Sequence, residues 1–335
     1  VMTTYKGING TAVQNYAGDL SGAADGQIWY DSTATDFKYQ YVVTAGGWAT
    51  GNAMNTARYN LAAGGTPTAG LAFGGEVPPL TAVTESYDGT SWTEVNDLNS
   101  ARQELAGNGT QTSALAYGGR VPAVSALTES WNGTNWTEVN DLGTARRYLG
   151  GAGADNTSAL AFGGPNAAPG GTNQALTESW NGTNWTEVND LNSARAILAG
   201  TGIVTSALAI GGDMPPASPI NVALTESWNG TNWTEVNDLN TGRSQLSAFG
   251  TVNTAAVAFG GVNPDSGPEA SIFVLVEDWN GTNWTETTDL NTGRKFLGGT
   301  GSQAAGLAIG GLTPSVTGAT EEWNKPQTVI KTLTD

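Results

Sequence analysis

Two hydrophobic patterns alternate along most of this chain. Runs such as Ser158-Ala159-Leu160-Ala161-Phe162 are apolar on both alternating faces and end at a double glycine. Such a run reads as a short strand buried on both sides. Segments such as Leu176-Thr177-Glu178-Ser179-Trp180 and Trp185-Thr186-Glu187-Val188-Asn189 mix polar and apolar positions, as half-buried strands do. They are joined by Asn181-Gly182-Thr183-Asn184, and Asn-Gly favours a tight hairpin turn. A further short segment follows an arginine, as in Arg146-Arg147-Tyr148-Leu149-Gly150. The pattern predicts a unit of four short antiparallel strands, with the fully apolar one second.

The unit repeats. Double glycines fall at Gly74-Gly75, Gly118-Gly119, Gly163-Gly164, Gly211-Gly212, Gly260-Gly261 and Gly310-Gly311, spaced by 44, 45, 48, 49 and 50 residues. Periods of this length, with four strands each, predict the blades of a β-propeller. The first-strand arginine (Arg58, Arg102, Arg146, Arg195, Arg243, Arg294) occurs six times. The third-strand aromatic (Tyr87, Trp131, Trp180, Trp228, Trp279, Trp323) does too, as does the fourth-strand tryptophan (Trp48, Trp92, Trp136, Trp185, Trp233, Trp284). The expected fold is all-β, a six-bladed propeller. Trp48 precedes the first complete unit and Trp323 ends the last. The economical closure makes the Trp48 strand the outer strand of the final blade, which removes two open edges. The tail Thr328-Val329-Ile330-Lys331 is the other candidate for that place. Expected domains are an N-terminal arm over 1–40, the propeller over 41–326 and a C-terminal tail over 327–335. Within the arm, the stretch from Gly26 to Tyr39 reads as a β-hairpin around a Ser-Thr-rich turn.

Composition narrows the chemistry. The chain has 335 residues with 47 Gly and 12 Trp, which suits tightly turned β-structure. Its net charge of −17, with only 13 Lys and Arg, argues against a nucleic-acid partner. There is no Cys to form disulfides, and no His to serve as metal ligand or general base. No apolar run is long enough to span a bilayer, no signal peptide is legible in a chain that begins at Val1, and no cofactor is expected.

Length variation is concentrated in the loop between second and third strands, which measures 8, 8, 12, 12, 14 and 8 residues. The long loops 165–176, 213–224 and 262–275 belong to consecutive units and are expected to form a raised arc on one face. Variable loops on a rigid frame are where binding residues collect. The candidates are Asn166, Asn173, Asp213, Met214, Asn221, Asn263 and Asp265. A second candidate set is the arginines Arg102, Arg146, Arg195, Arg243 and Arg294, expected to ring one channel mouth. They have a structural reading as well: Asp97, Asp141, Asp190, Asp238 and Asp289 each lie five residues before an arginine, within pairing or loop-capping reach. The tryptophans could stack on sugars, but their presence in every unit suits packing between blades. The sequon-like Asn132-Gly133-Thr134 and Asn135-Trp136-Thr137 coincide with the turn. Glu94, Glu138, Glu187, Glu235 and Glu286 recur identically, whereas a catalytic pair needs two carboxylates in different environments. No catalytic residue is expected.

A hydrophobic run ending in a double glycine, then an aromatic, then a tryptophan resembles the kelch repeat over roughly residues 42–325. The Ser86–Trp92 hairpin resembles the Asp-box of sialidases, with a spacing one residue off. The copper site of kelch-type oxidases needs His, which this chain lacks. The hairpin Gly26-Gln27-Ile28-Trp29-Tyr30 with Phe37-Lys38-Tyr39, leading into Gly-rich kelch-like repeats, resembles virion structural proteins of tailed bacteriophages, particularly tail-fibre-like or surface proteins of marine phages. The resemblance implies a non-enzymatic decoration or tail component on the particle surface. Its partners would be other virion subunits through residues 1–40, and a host-surface glycan or protein. The alternatives are a secreted bacterial lectin or adhesin, an intracellular kelch scaffold and a self-assembling extracellular fibre subunit.

Overall fold

The computed structural model describes residues 13–20, 26–44, 46–167, 171–214, 221–263, 271–325 and 327–332. Every regular element among them is a β-strand. The chain forms two compact units, Trp48–Asn324 and a smaller one made of Val1–Gly47 with Lys325–Asp335.

Among the described residues, the larger unit carries six four-stranded sheets, one per sequence repeat. In the third repeat, Gly150–Asp155, Ser158–Phe162, Thr177–Trp180 and Trp185–Val188 neighbour one another in that order, all antiparallel. These are blade-like sheets, consistent with a β-propeller. The last runs Gly298–Gly301, Ala305–Ile309, Thr320–Asn324, Gly47–Gly51, so its outermost strand comes from the start of the unit. There the Trp48 ring lies 5.4 Å from Trp323, as Trp136 lies 5.4 Å from Trp131.

The apolar second strands explain how the sheets stack. Each has a large face and a small face, because residues alternate across a strand. Leu160 and Phe162 pack against Ala207 and Ala209 of the next sheet. Leu208 and Ile210 in turn meet Ala256 and Ala258. The sixth sheet presents Leu307 and Ile309 to Ala72, Tyr87 and Trp92 of the first. Large side chains thus enter space left by alanines on every neighbour, and the apolar side chains among the last four residues of each second strand reach 0–1% exposure. Burying each leucine or phenylalanine is worth roughly 1.5–3 kcal/mol.

A second link joins the same sheets by backbone. Asn60 N–H donates to Phe296 O, Phe296 to Gln245, Gln245 to Ile197, Ile197 to Tyr148, Tyr148 to Glu104 and Glu104 back to Asn60, at 2.8–3.1 Å. All six residues have positive φ, between 50° and 60°.

The double glycines are required by this packing. Gly118 and Gly119 have φ of +66° and +96°, and a Cβ on either would stand 2.7 Å from a carbonyl oxygen, of Arg146 and of Gln103 respectively. The Gly119 N–H donates to that Arg146 oxygen at 2.8 Å, tying one repeat to the next.

In the smaller unit the expected hairpin is present, Ile28–Asp31 against Asp36–Thr44. Gln14–Tyr16 runs parallel to its first strand and Gln327–Thr332 antiparallel to its second. Asp31 Oδ1 accepts from the backbone of Gly18, Thr33 and Ala34, which fixes the Ser-Thr turn. The tail strand therefore pairs with the N-terminal arm, where sequence spacing had it standing apart, and the division between units falls at Gly47–Trp48 in place of residue 40.

Gly119→Ala places a methyl group against a carbonyl at an unfavourable φ, and is expected to cost about 3 kcal/mol. Urea denaturation followed by tryptophan fluorescence measures it; a loss below about 1 kcal/mol contradicts the packing described.

Candidate ligand-binding face

The six repeated arginines are not at a channel mouth. Each is 0% exposed. Each is paired with a third-strand glutamate of its own repeat: Arg58 with Glu85 at 2.7 Å, Arg146 with Glu178 at 2.8 Å, Arg243 with Glu277 at 2.6 Å. Arg102, Arg195 and Arg294 pair likewise with Glu129, Glu226 and Glu321. A guanidinium so buried cannot meet a ligand, so Arg102, Arg146, Arg195, Arg243 and Arg294 are structural. Burial lowers the pKa of all six, and the adjacent carboxylates oppose it. Nor are the preceding aspartates the ion-pair partners. Asp97, Asp141, Asp190 and Asp238 accept from the backbone N–H that opens the third strand, at 2.9–3.0 Å, and Asp289 from Val276 at 3.2 Å. The guanidinium reaches across the sheet instead, because a second-strand carbonyl (Ala72 for Arg58) also accepts from it.

The tryptophans are occupied as well. Trp136, Trp185, Trp233 and Trp284 each donate Nε1–H to a threonine of the preceding sheet at 3.0–3.1 Å. Those of the third strands donate to loop carbonyls, as Trp131 does to Gln111 at 2.8 Å. Their rings pack in sheet-to-sheet clusters, where they are not available to sugars.

The accessible chemistry lies beside the arginines. In five repeats the residue following the arginine bridges to the start of the length-variable loop, as Gln103 does to Arg120, Ala196 to Asp213 and Lys295 to Leu312; in the third Arg146 itself bridges to Asn166, and the Arg147 N–H donates to Pro165 O at 3.3 Å. Loops and backbone ring therefore share one face. At its centre the six ring residues surround an opening of about 90 Å³, with Leu61, Leu105, Leu149, Leu198, Leu246 and Leu297 beneath. Beyond these leucines lies a cavity of about 280 Å³, half of whose lining residues are glycines of the first strands.

The loop candidates divide. Asn166, Asn173 and Asp213 line a cavity of about 460 Å³ with Arg147, Tyr148 and Ile197. Asn173 Nδ2 donates to the Asp213 carbonyl at 3.0 Å, joining the loops of the third and fourth repeats. Asn221 is buried and accepts from Ser244 Oγ at 2.6 Å, and Asn263 donates to Gly242 O at 2.8 Å. Both brace loops, because a buried amide must be satisfied locally. Met214 is half-buried. Asp265 lies outside the described residues.

Sequence spacing had missed the ring itself. Tyr148 and Phe296 stack with centroids 5.9 Å apart, and Tyr59 lies 6.3 Å from Phe296. Arg147 sits 5.2 Å above Tyr148 and Lys295 5.8 Å above Phe296. Glu104 accepts from Arg147 at 2.8 Å and is 4.0 Å from Arg120. Burial and the Glu76 carboxylate push the Tyr59 phenol up to about 12. Burial raises the Asp213 carboxyl above its ordinary value, against its hydrogen bonds.

Breaking one buried pair leaves an uncompensated charge. Glu178→Ala is expected to cost about 3–5 kcal/mol, and the double replacement Arg146→Met with Glu178→Leu to recover most of it; thermal denaturation of the two variants decides this. For Asp213 the raised folded pKa means folding weakens as pH rises past the ordinary carboxylate range, about 4. Asp213→Asn should therefore melt above the parent at neutral pH, with the difference vanishing below about pH 3.5. A Tm difference independent of pH contradicts the burial of this carboxylate.

Compared with known proteins, the chain matches no protein-family model and no curated protein sequence.

Proposed function

We propose that Trp48–Asn324 is a closed six-bladed β-propeller of kelch-like repeats, and that the chain is a non-enzymatic structural protein of a bacteriophage virion. It acts as a tail-fibre-like or capsid or tail surface component, exposed on the particle, whose ring-and-loop face binds a host-surface molecule or another subunit. The observation that carries the binding role is the contrast within one frame. The repeated arginines, their third-strand glutamate partners and the tryptophans are spent on holding strands and sheets together, while side chains that differ between repeats collect on one face around the backbone ring. A scaffold whose buried charges are paired off presents a rigid, pre-organised surface. The backbone cycle and the packing of Leu307 and Ile309 on the first sheet support closure.

The virion assignment rests on the resemblance of the N-terminal hairpin and the near-verbatim repeats to tailed-phage structural proteins. The smaller unit is the attachment module in this reading. Its edge strand Gln14–Tyr16 has unpaired backbone on one side among the described residues, which suits strand addition by a neighbouring subunit. Many copies per particle turn weak single contacts into firm attachment.

Deleting residues 1–46 and 327–335 should leave a chain with cooperative unfolding that is no longer incorporated into particles. Immunogold electron microscopy of particles assembled with the full and shortened chains reads the outcome. Equal labelling of both would remove the attachment role from the smaller unit.

A further inference from the structure

The ring positions break the repetition. Between the arginine and the leucine present in all six repeats lie two residues, and at each of them all six repeats differ. The first is Tyr59, Gln103, Arg147, Ala196, Ser244 or Lys295; the second is Asn60, Glu104, Tyr148, Ile197, Gln245 or Phe296. The fold does not ask for this diversity, because all six second positions have the same backbone conformation and make the same backbone bond. It asks for the opposite. A positive φ favours glycine, or failing that asparagine, and is adverse for a β-branched residue. Only Asn60 is of a favoured type, in a chain with 47 glycines that places them at most of its other left-handed positions. Strained conformations kept under such conditions cluster at ligand sites. The side chains at this mouth are therefore retained for what they contact.

Charge identifies the contact. Trp48–Asn324 contains nine Lys and Arg residues. Six are the buried structural arginines. The other three, Arg120, Arg147 and Lys295, all stand on this face, at the ring or bridged to it. On a chain of net charge −17 this is the one place where accessible positive charge gathers in the unit, three cations, two of them facing the carboxylate of Glu104, which pairs with Arg147 and lies 4.0 Å from Arg120. Arg147 and Lys295 also flank the Tyr148–Phe296 stack, each lying over one ring. Two cations separated by an aromatic pair suit an extended ligand whose anionic groups are spaced apart along it.

We propose that this mouth binds an acidic polysaccharide of the polyuronate class, its carboxylates meeting Lys295 and Arg147 and its sugar units spanning the Tyr148–Phe296 pair between them. Asn166, Asn173 and Asp213 in the adjoining cavity supply hydrogen bonds to sugar hydroxyls. A nucleic acid is disfavoured, because three accessible cations on an acidic chain cannot replace the counterions of a polyphosphate. The proposal rests on the binding-face reading above and names its ligand.

The test uses the full chain, titrated calorimetrically with a short oligogalacturonate, its fully methyl-esterified form, and an oligothymidylate of matched length. The expected result is binding of the free acid, at least about tenfold weaker binding of the ester, weakening with added salt, and no binding of the oligothymidylate. Lys295→Ala and Arg147→Ala should each weaken binding by about three- to tenfold. Tyr148→Gly keeps a residue suited to the left-handed backbone, so it should fold with a Tm close to the parent's while losing the free-acid binding. Equal binding of ester and acid, preference for the oligothymidylate, no binding of the free acid, or indifference to Lys295→Ala each overturns the proposal. If particles bearing Arg147→Ala with Lys295→Ala lose host adsorption although the parent chain binds no oligogalacturonate, the ligand class is overturned while the binding-face reading stands. If the free acid binds as expected but adsorption is unchanged in that variant, the site stands and the adsorption role falls.

Discussion

Everything in the larger unit depends on a strand that must be buried on both faces. A sequence such as Ser206-Ala207-Leu208-Ala209-Ile210 leaves no side for water, so each sheet needs two neighbours. Splitting large and small residues between the two faces gives each contact a direction. Leucines and aromatics press one way into the alanines of the following sheet. Six sheets arranged by this rule lead from the first to the sixth, and the sixth packs on the first.

The polar residues of the repeat serve that packing. Arg58 and its five equivalents reach from the first-strand segment to a second-strand carbonyl and a third-strand glutamate, so one side chain braces three parts of a sheet. Buried pairs of this kind contribute little net stability, yet losing one partner is costly. That explains why arginine and glutamate recur together in all six repeats. The turn asparagines tie neighbouring outer strands in the same repetitive way: Asn96 and Asn140 each donate to the hairpin turn of the next repeat at 2.8–2.9 Å.

Against that uniform frame, the mouth is the place where the molecule departs from its own symmetry. The backbone there is held in a hydrogen-bonded cycle with unfavourable φ. The side chains it carries are the most varied, from Glu104 through Ile197 to Phe296. A rigid cycle that carries different side chains at equivalent positions is a means of presenting an asymmetric chemical surface without disturbing the packing beneath it.

Much of this was legible in the linear pattern. Period, hairpin turns and the apolar second strand dictate four-stranded sheets, because strand alternation and Asn-Gly turn geometry act over a few residues. Loop variation marked Asn166, Asn173 and Asp213, which line one cavity. The repeat also held the ring signal, two differing residues between constant arginine and leucine, but spacing alone does not say that residues about 45 apart converge. Nor could it say that the arginines point inward. An arginine and an aspartate five residues apart looked like partners, as Arg102 and Asp97 do, whereas the sheet brings Glu129, 27 residues on, within 3.1 Å of Arg102. Local sequence determined the strands and their turns; tertiary packing decided which charges meet and which face water, since burial and charge pairing depend on strands brought together from distant parts of the chain.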